Sequence, residues 1–167
     1  KGKGLRPALV LLAARAIGDV TEEVRSAAVG IELLQASTLL HDDVIDDSPI
    51  RRGNPSVNAQ WGNEVAVLMG DMLFTQALAL FVSTGSLSVM DAAARQTRLL
   101  IEGEIFAREL RAAPDFSEDS YLELIRRKTG ALMSLSSEVG AMLTGADEER
   151  IELMREYGRY LGMAFQI

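Results

Sequence analysis

Four carboxylates, Asp42, Asp43, Asp46 and Asp47, fall within six positions, and Arg51 and Arg52 follow directly. On a helix, residues four apart share a face, with Cβ atoms about 5–6 Å apart. Asp42 with Asp46, and Asp43 with Asp47, are such pairs. Residues 29–40, just upstream, are predominantly apolar, so the charge is not expected on an ordinary solvated face. Buried carboxylates without compensation are costly and are paired or bound to metal. Oxygen ligands without His or Cys partners suit Mg²⁺, which takes one or two carboxylates and completes its shell with substrate phosphates. Val44 and Ile45 break the alternation an EF-hand loop needs. A solvated acidic helix end is the competing reading, and the negative dipole at a helix C-terminus disfavours it.

The elements that position this cluster read as helical. Apolar residues recur at helical spacing over 6–17, 22–46, 63–83, 87–111, 118–144 and 147–166. Pro7, Pro49, Pro55 and Pro114 sit where the pattern breaks, and Gly18, Gly53, Gly85 and Gly145 punctuate the ends. Gly130 interrupts 118–144, which is one bent helix or two. No alternating strand and no internal repeat is evident. The stretch 48–63 is the longest irregular one and follows the aspartates, as a loop over a site would. The expected class is all-α, a single domain over 1–167.

Composition excludes several functions. The net charge of −7 argues against a general nucleic-acid binder. There is no cysteine and one histidine, which rules out disulfides, thiolate metal sites and a multi-His zinc site. The longest apolar run, 65–82, is interrupted by Asp71 and Gln76, so no membrane span is expected and the default compartment is cytoplasmic. Both ends look abrupt, which predicts a chain truncated at both ends.

Other groups carry a chemical and a plain reading. Lys3 and Arg6, in Lys-Gly-Lys-Gly-Leu-Arg-Pro, could hold an anion at a helix start or simply form a solvated terminus. Arg51 and Arg52 could serve a substrate or only neutralise the aspartates. Arg127-Lys128-Thr129 alone reads as a surface helix. His41 reads as a packed or supporting residue, Trp61 as an anchor, and Met69, Met72, Met133 and Met142 as core.

Asp42-Asp43-Val44-Ile45-Asp46 followed by Arg51-Arg52-Gly53 resembles the first aspartate-rich motif of the trans-isoprenyl diphosphate synthases. The resemblance runs along nearly the whole chain. Gly2-Lys3-Gly4-Leu5-Arg6-Pro7 is similar to that family's isopentenyl diphosphate site. Glu32-Leu33-Leu34-Gln35 is similar to the helix entering the aspartate motif, and Gly70-Asp71-Met72-Leu73 to its Gly-Asp helix. Gly103-Glu104 resembles its Gly-Glu pair, although Ala107 stands where Gln is expected. Lys128-Thr129 matches its Lys-Thr pair, and Phe165-Gln166 the Phe-Gln preceding its second aspartate motif. That motif, expected just after Ile167, lies outside this sequence.

The resemblance implies an isoprenoid synthase helical bundle around a central cavity, here incomplete. It implies Mg²⁺-dependent condensation of an allylic diphosphate with isopentenyl diphosphate, to give an all-trans polyprenyl diphosphate, commonly by a homodimer. Asp42 and Asp46 would hold Mg²⁺, with Asp43 completing or orienting the shell. Arg51 and Lys128 would contact the allylic diphosphate, with Thr129 and Gln166 supporting. Lys3, Arg6, Gln35 and Arg52 would hold isopentenyl diphosphate. The small Ser37 and Thr38, about one turn before Asp42, would leave a product tunnel open, implying a medium or long chain, with Phe74 a candidate to close it further down. With only one aspartate motif, the 167 residues alone are expected to turn over little. A terpene cyclase shares the motif but needs no second diphosphate site. A non-catalytic subunit keeps the fold but usually loses the aspartates. A plain helical interaction module explains the periodicity alone.

Overall fold

The protein is seen here as a computed structural model that describes residues 4–112 and 117–167. Eight α-helices dominate the described residues: α1 (Leu5–Ile17), α2 (Glu22–Ile45), α3 (Val57–Trp61), α4 (Asn63–Ser83), α5 (Leu87–Ala112), α6 (Glu118–Ile125), α7 (Ala131–Met142) and α8 (Glu148–Ala164). The class is all-α, as the periodicity predicts. Five helix starts carry a side-chain cap. Thr21, Ser56, Ser86, Ser117 and Asp147 each accept a hydrogen bond from a backbone N–H three residues on, satisfying a donor the helix itself leaves free.

Two departures from the sequence reading have local causes. The 118–144 stretch holds two α-helices, α6 and α7, as one of the two readings had it, but no loop separates them. A π-helical turn, Arg126–Gly130, joins α6 to α7 without breaking the chain direction. The 48–63 stretch is not irregular throughout. It holds a minimal antiparallel hairpin, β1 (Ile50–Arg51) with β2 (Asn54–Pro55), and then α3. Two-residue strands are too short to show alternation. Arg52 (φ 51°) and Gly53 (φ 80°) form the two-residue turn; both sit at positive φ, the signature of a hairpin turn whose twist suits its strands.

The core is built around α7, which has eleven of its twelve residues buried. An all-round buried helix is the centre of a bundle rather than its surface. α1, α5 and α8 pack against it, and α2 packs on α4. Glycines set the closest approaches. A Cβ at Gly140 would strike the Val10 carbonyl on α1, and one at Gly30 would meet Phe81 Cε1 at 2.9 Å. Within α7, Ser136 and Ser137 return their hydroxyls to the carbonyls of Leu132 and Met133, so their buried polarity is satisfied locally. Glu138, wholly buried, accepts from Arg95 (3.0 Å) and Arg155 (3.0 Å).

α4 buries only Ala66, Gly70, Ala77 and Phe81. Val65, Leu68, Met69, Met72 and Val82 are exposed, so Met69 and Met72 are not the core residues their type suggests, whereas Met133 is buried. Trp61 is also exposed. By length and composition α4 could cross a membrane, Asp71 and Gln76 notwithstanding. Core helices of globular proteins pass the same test.

The α7–α8 contact gives a direct test. A Cβ at Gly158 would overlap Ser137 Oγ and the Met133 carbonyl. Overpacking of this kind costs about 1–3 kcal/mol. Gly158→Ala should therefore lower the melting temperature by roughly 2–12 °C, read by circular dichroism. An unchanged transition would show that these helices are not in close contact.

Candidate active site

α2 delivers the aspartates. Its last regular residue is Ile45, and Asp46 caps it. Asp42 and Asp46 therefore share a helical face. Asp47 does not pair with Asp43, because the chain has left the helix and Asp47 sits exposed at φ 49°. The three remaining carboxylates occupy different environments. Asp43 is closed off, its side chain 3% exposed, and Arg51 Nε lies 2.7 Å from both of its oxygens. Asp46 accepts from Arg111 Nη1 at 2.8 Å, and this bond holds its pKa below the usual value. The Asp42 carboxylate has no hydrogen-bond or ion-pair partner among the described residues, its carbonyl alone accepting from Asp46 N at 2.8 Å. Burial, then repulsion from Glu104, raise its pKa to about 6, with Asp46 adding and Lys128 and Arg51 opposing. A half-buried acid with no partner, beside further carboxylates, is what a divalent cation would stabilise.

Lys128 reaches this group from the π turn. Its Nζ lies 2.7 Å from Glu104 Oε1 on α5. Glycines on both sides admit the turn. A Cβ at Gly103 would meet Arg127 Cβ at 2.8 Å and Lys128 N at 3.2 Å, and one at Gly162 on α8 would meet Gly130 Cα at 2.9 Å. The turn is thus clamped between α5 and α8, and Gly103-Glu104 acts as a unit: the glycine lets the backbone in and the glutamate fixes the lysine. π turns inside helices occur often at functional positions. The next residue, Thr129, donates to Gln166 Oε1 at 2.9 Å, while Tyr121 donates to the Gln166 carbonyl at 3.0 Å.

A cavity of about 610 Å³ lies beside the hairpin residue Arg52. Arg6, Gln35, Arg52, Thr129 and Phe165 help line it. Arg6 Nε is buried with no acceptor. Burial lowers the Arg6 pKa, Glu32 opposes that shift, and the like charge of Arg52 adds to it. A guanidinium with a spare buried donor beside a second guanidinium is complementary to a phosphate group. Arg51 and Arg52 are adjacent in sequence, yet Arg51 pairs with Asp43 while Arg52 lines this cavity. Lys3 lies outside the described residues.

An apolar cleft of about 290 Å³ lies between α2, α4 and α5, lined by Leu34, Phe74, Leu78 and Phe81 among others. Leu34, Thr38 and Asp42 follow at four-residue intervals on α2, so the cleft sits below the aspartates on that face. Thr38 is half-buried and donates to the Gln35 carbonyl at 2.9 Å. Ser37 is 1% exposed and lines none of the cavities described here.

The structure therefore gathers Asp42, Asp46 and Lys128 in one place, and Arg6, Gln35, Arg52 and Thr129 in another. It turns Asp43 and Arg51 towards each other. Sequence reasoning overlooked Arg108 and Arg111. Arg108 Nη2 lies 3.4 Å from the Ile45 carbonyl at the end of α2, and Arg111 holds Asp46. Their spacing from Glu104, four and seven positions on, places all three on one face of α5 and was the available signal. Among the described residues no three metal-binding side chains are pre-assembled into a cage. An open pair of carboxylates suits Mg²⁺, which keeps waters and takes substrate oxygens.

A family model described as polyprenyl synthetase matches residues 1–167. The octaprenyl diphosphate synthase of Escherichia coli (strain K12) is 38% identical over 166 residues, 99% of this chain and 51% of that protein. A geranylgeranyl diphosphate synthase of Methanosarcina mazei is 37% identical over 171 residues, 99% of this chain and 53% of that one. The chain thus spans about half the length of these curated relatives. The crystal structure of a polyprenyl synthase from Caulobacter crescentus CB15, complexed with calcium and isoprenyl diphosphate, superposes with a TM-score of 0.95 at 39% identity, over 99% of this chain and 51% of that one.

The raised pKa of Asp42 gives a pH test. A cation bound there must displace the proton, so affinity should fall about tenfold per pH unit below pH 6. Titrating Mn²⁺ between pH 5 and 7.5 should show about a tenfold loss at pH 5; a flat profile would remove Asp42 from the metal site. The sign for stability is opposite. The folded state binds this proton more tightly than the unfolded state, so this group favours the metal-free fold increasingly as pH falls from above 6 towards 4.

Proposed function

The chain belongs to the polyprenyl synthetase family, and on that premise we propose that it carries one half of a prenyltransferase site, condensing an allylic diphosphate with isopentenyl diphosphate to give an all-trans polyprenyl diphosphate. The observation that carries this reading is the half-buried Asp42 carboxylate, without a side-chain partner and beside Lys128, together with an arginine-lined cavity that contains none of the aspartates. Two anion sites a short distance apart are what a two-diphosphate reaction needs and a cyclase does not.

In this reading Asp42 and Asp46 hold Mg²⁺, which when bound supplies charge to stabilise the departing diphosphate. Lys128 adds a positive charge on the same oxygens, held in aim by Glu104 and the clamped π turn. Thr129 and Gln166 support that turn. Asp43 and Arg51 position rather than bind alone: their buried pair fixes the hairpin, and the rest of the Arg51 guanidinium faces the aspartates electrostatically. Arg6, Gln35 and Arg52, with Lys3, hold the isopentenyl diphosphate headgroup. Preorganised cations of this kind lower the barrier because they need not reorient as charge develops. The prenyl chain runs from the aspartates past Thr38 into the apolar cleft, where Phe74 bears on its length. The exposed apolar face of α4 is too large for comfort in water, and a second copy of the chain covering it would account for it.

Two substitutions in the native full-length protein test this assignment. Asp42→Ala should lower turnover by at least about a hundredfold, the usual effect of removing one element of charge stabilisation, and should weaken the Mg²⁺ dependence without altering the circular dichroism spectrum. Near-normal kinetics would sink it. Thr38→Phe should shorten the products resolved by chromatography; an unchanged product distribution at normal turnover would refute the proposed path of the prenyl chain.

A further inference from the structure

Three cations at the site each rest on a carboxylate, but not with equal hold. Arg51 grips the nearly inaccessible Asp43 through several short contacts, a pairing that is costly to break. Lys128 and Glu104 form a partly buried pair, 36% and 20% exposed. Arg111 meets Asp46 through one nitrogen only, with its own side chain 59% exposed and the aspartate 31% exposed. Exposed ion pairs of this kind are weak and readily exchanged. Arg108, one turn earlier, is engaged with the Ile45 carbonyl and leaves the Asp46 carboxylate to Arg111. Arg111 also stands close enough to Asp42 and Glu104 to feel both.

We propose that Arg111 is a displaceable counter-cation that occupies Asp46 in the empty site and transfers to the substrate diphosphate when metal and diphosphate enter. The inference rests on the metal role assigned above to Asp42 and Asp46. A guanidinium on Asp46 and a divalent cation there compete for the same oxygen. Once released, the guanidinium remains tethered to α5 at the mouth of the site, where a diphosphate bound to the metal brings new anionic oxygens. The residue thereby opposes metal binding alone and favours metal together with diphosphate. It screens the aspartates in the empty enzyme and makes loading of the two ligands cooperative.

Two binding arms of opposite sign test this by calorimetry on the native full-length protein. In the first, Mn²⁺ alone is titrated. Arg111→Gln should bind it about two- to fivefold more tightly, the range an exposed ion pair is worth. In the second, inorganic pyrophosphate is titrated with Mn²⁺ present. Arg111→Gln should bind it about tenfold more weakly, as loss of a charged hydrogen bond implies, and Arg111→Lys should recover part of that loss. A merely structural role moves both arms in the same direction. Both arms unchanged, or both weakened, would overturn the proposal. Asp42→Ala separates this from failure of the metal reading. If Asp42→Ala binds Mn²⁺ like the wild type, the metal assignment falls. If it loses Mn²⁺ while Arg111→Gln leaves both arms unchanged, only the role of Arg111 falls.

Discussion

The site depends on what is done with negative charge at the end of α2. A helix C-terminus already carries partial negative charge, and here four carboxylates are added within six residues. Asp43 is the residue that makes this tolerable. Its side chain takes Arg51, while its carbonyl accepts from Ser48 N at 2.9 Å and Asn58 Nδ2 at 3.2 Å. One residue therefore ties the helix end to the loop after it, to the hairpin and to α3. Ser56 extends the tie by donating to the Ser48 carbonyl at 2.6 Å while capping α3. With Asp43 neutralised and Asp46 shared with Arg111, Asp42 is left alone with an unmet demand for a cation. The uncompensated charge is concentrated on one residue because its neighbours have been satisfied.

A second constraint is the close approach of backbones. Gly103 on α5 and Gly162 on α8 leave room for the π turn between them. The extra residue in that turn changes the direction of Lys128 relative to a regular helix and lets it meet Glu104. Gly70 plays a related part on α4. A side chain there would overlap the His41 ring, whose Nε2 lies 3.3 Å from Asp71 Oδ1, so the residue preceding Asp42 is itself held in place. Small residues thus do for backbone placement what the ion pairs do for charge.

Much of this was legible in the sequence, and the rest was hidden for identifiable reasons. The long helices were visible in the 3.6-residue recurrence of apolar positions, and their ends in Gly18, Gly85 and Gly145. Asp42 and Asp46 were readable as a pair, since a four-residue spacing fixes a common face. Asp43 with Asp47 was misread, because where α2 stops is decided by the loop contacts and not by the aspartates. The π turn was invisible as well. Only the flanking α5 and α8 glycines reveal that something must pass between them. Met69 and Met72 were placed in the core on residue type, whereas which face of α4 is covered depends on packing with α2. The partner of Asp46 was missed because Arg111 is sixty-five residues away, and only its spacing from Glu104 hinted at it.

The hairpin at Arg51–Asn54 has one more implication. Arg51 is bound to the aspartate side and Arg52 to the cavity with Arg6, yet a single peptide unit joins them and Arg52 is held at positive φ. Such a short, over-determined segment cannot yield at one arginine without disturbing the other. The charge balance at the end of α2 and the lining of the Arg6 cavity are thus set by one hairpin turn rather than by two separate elements.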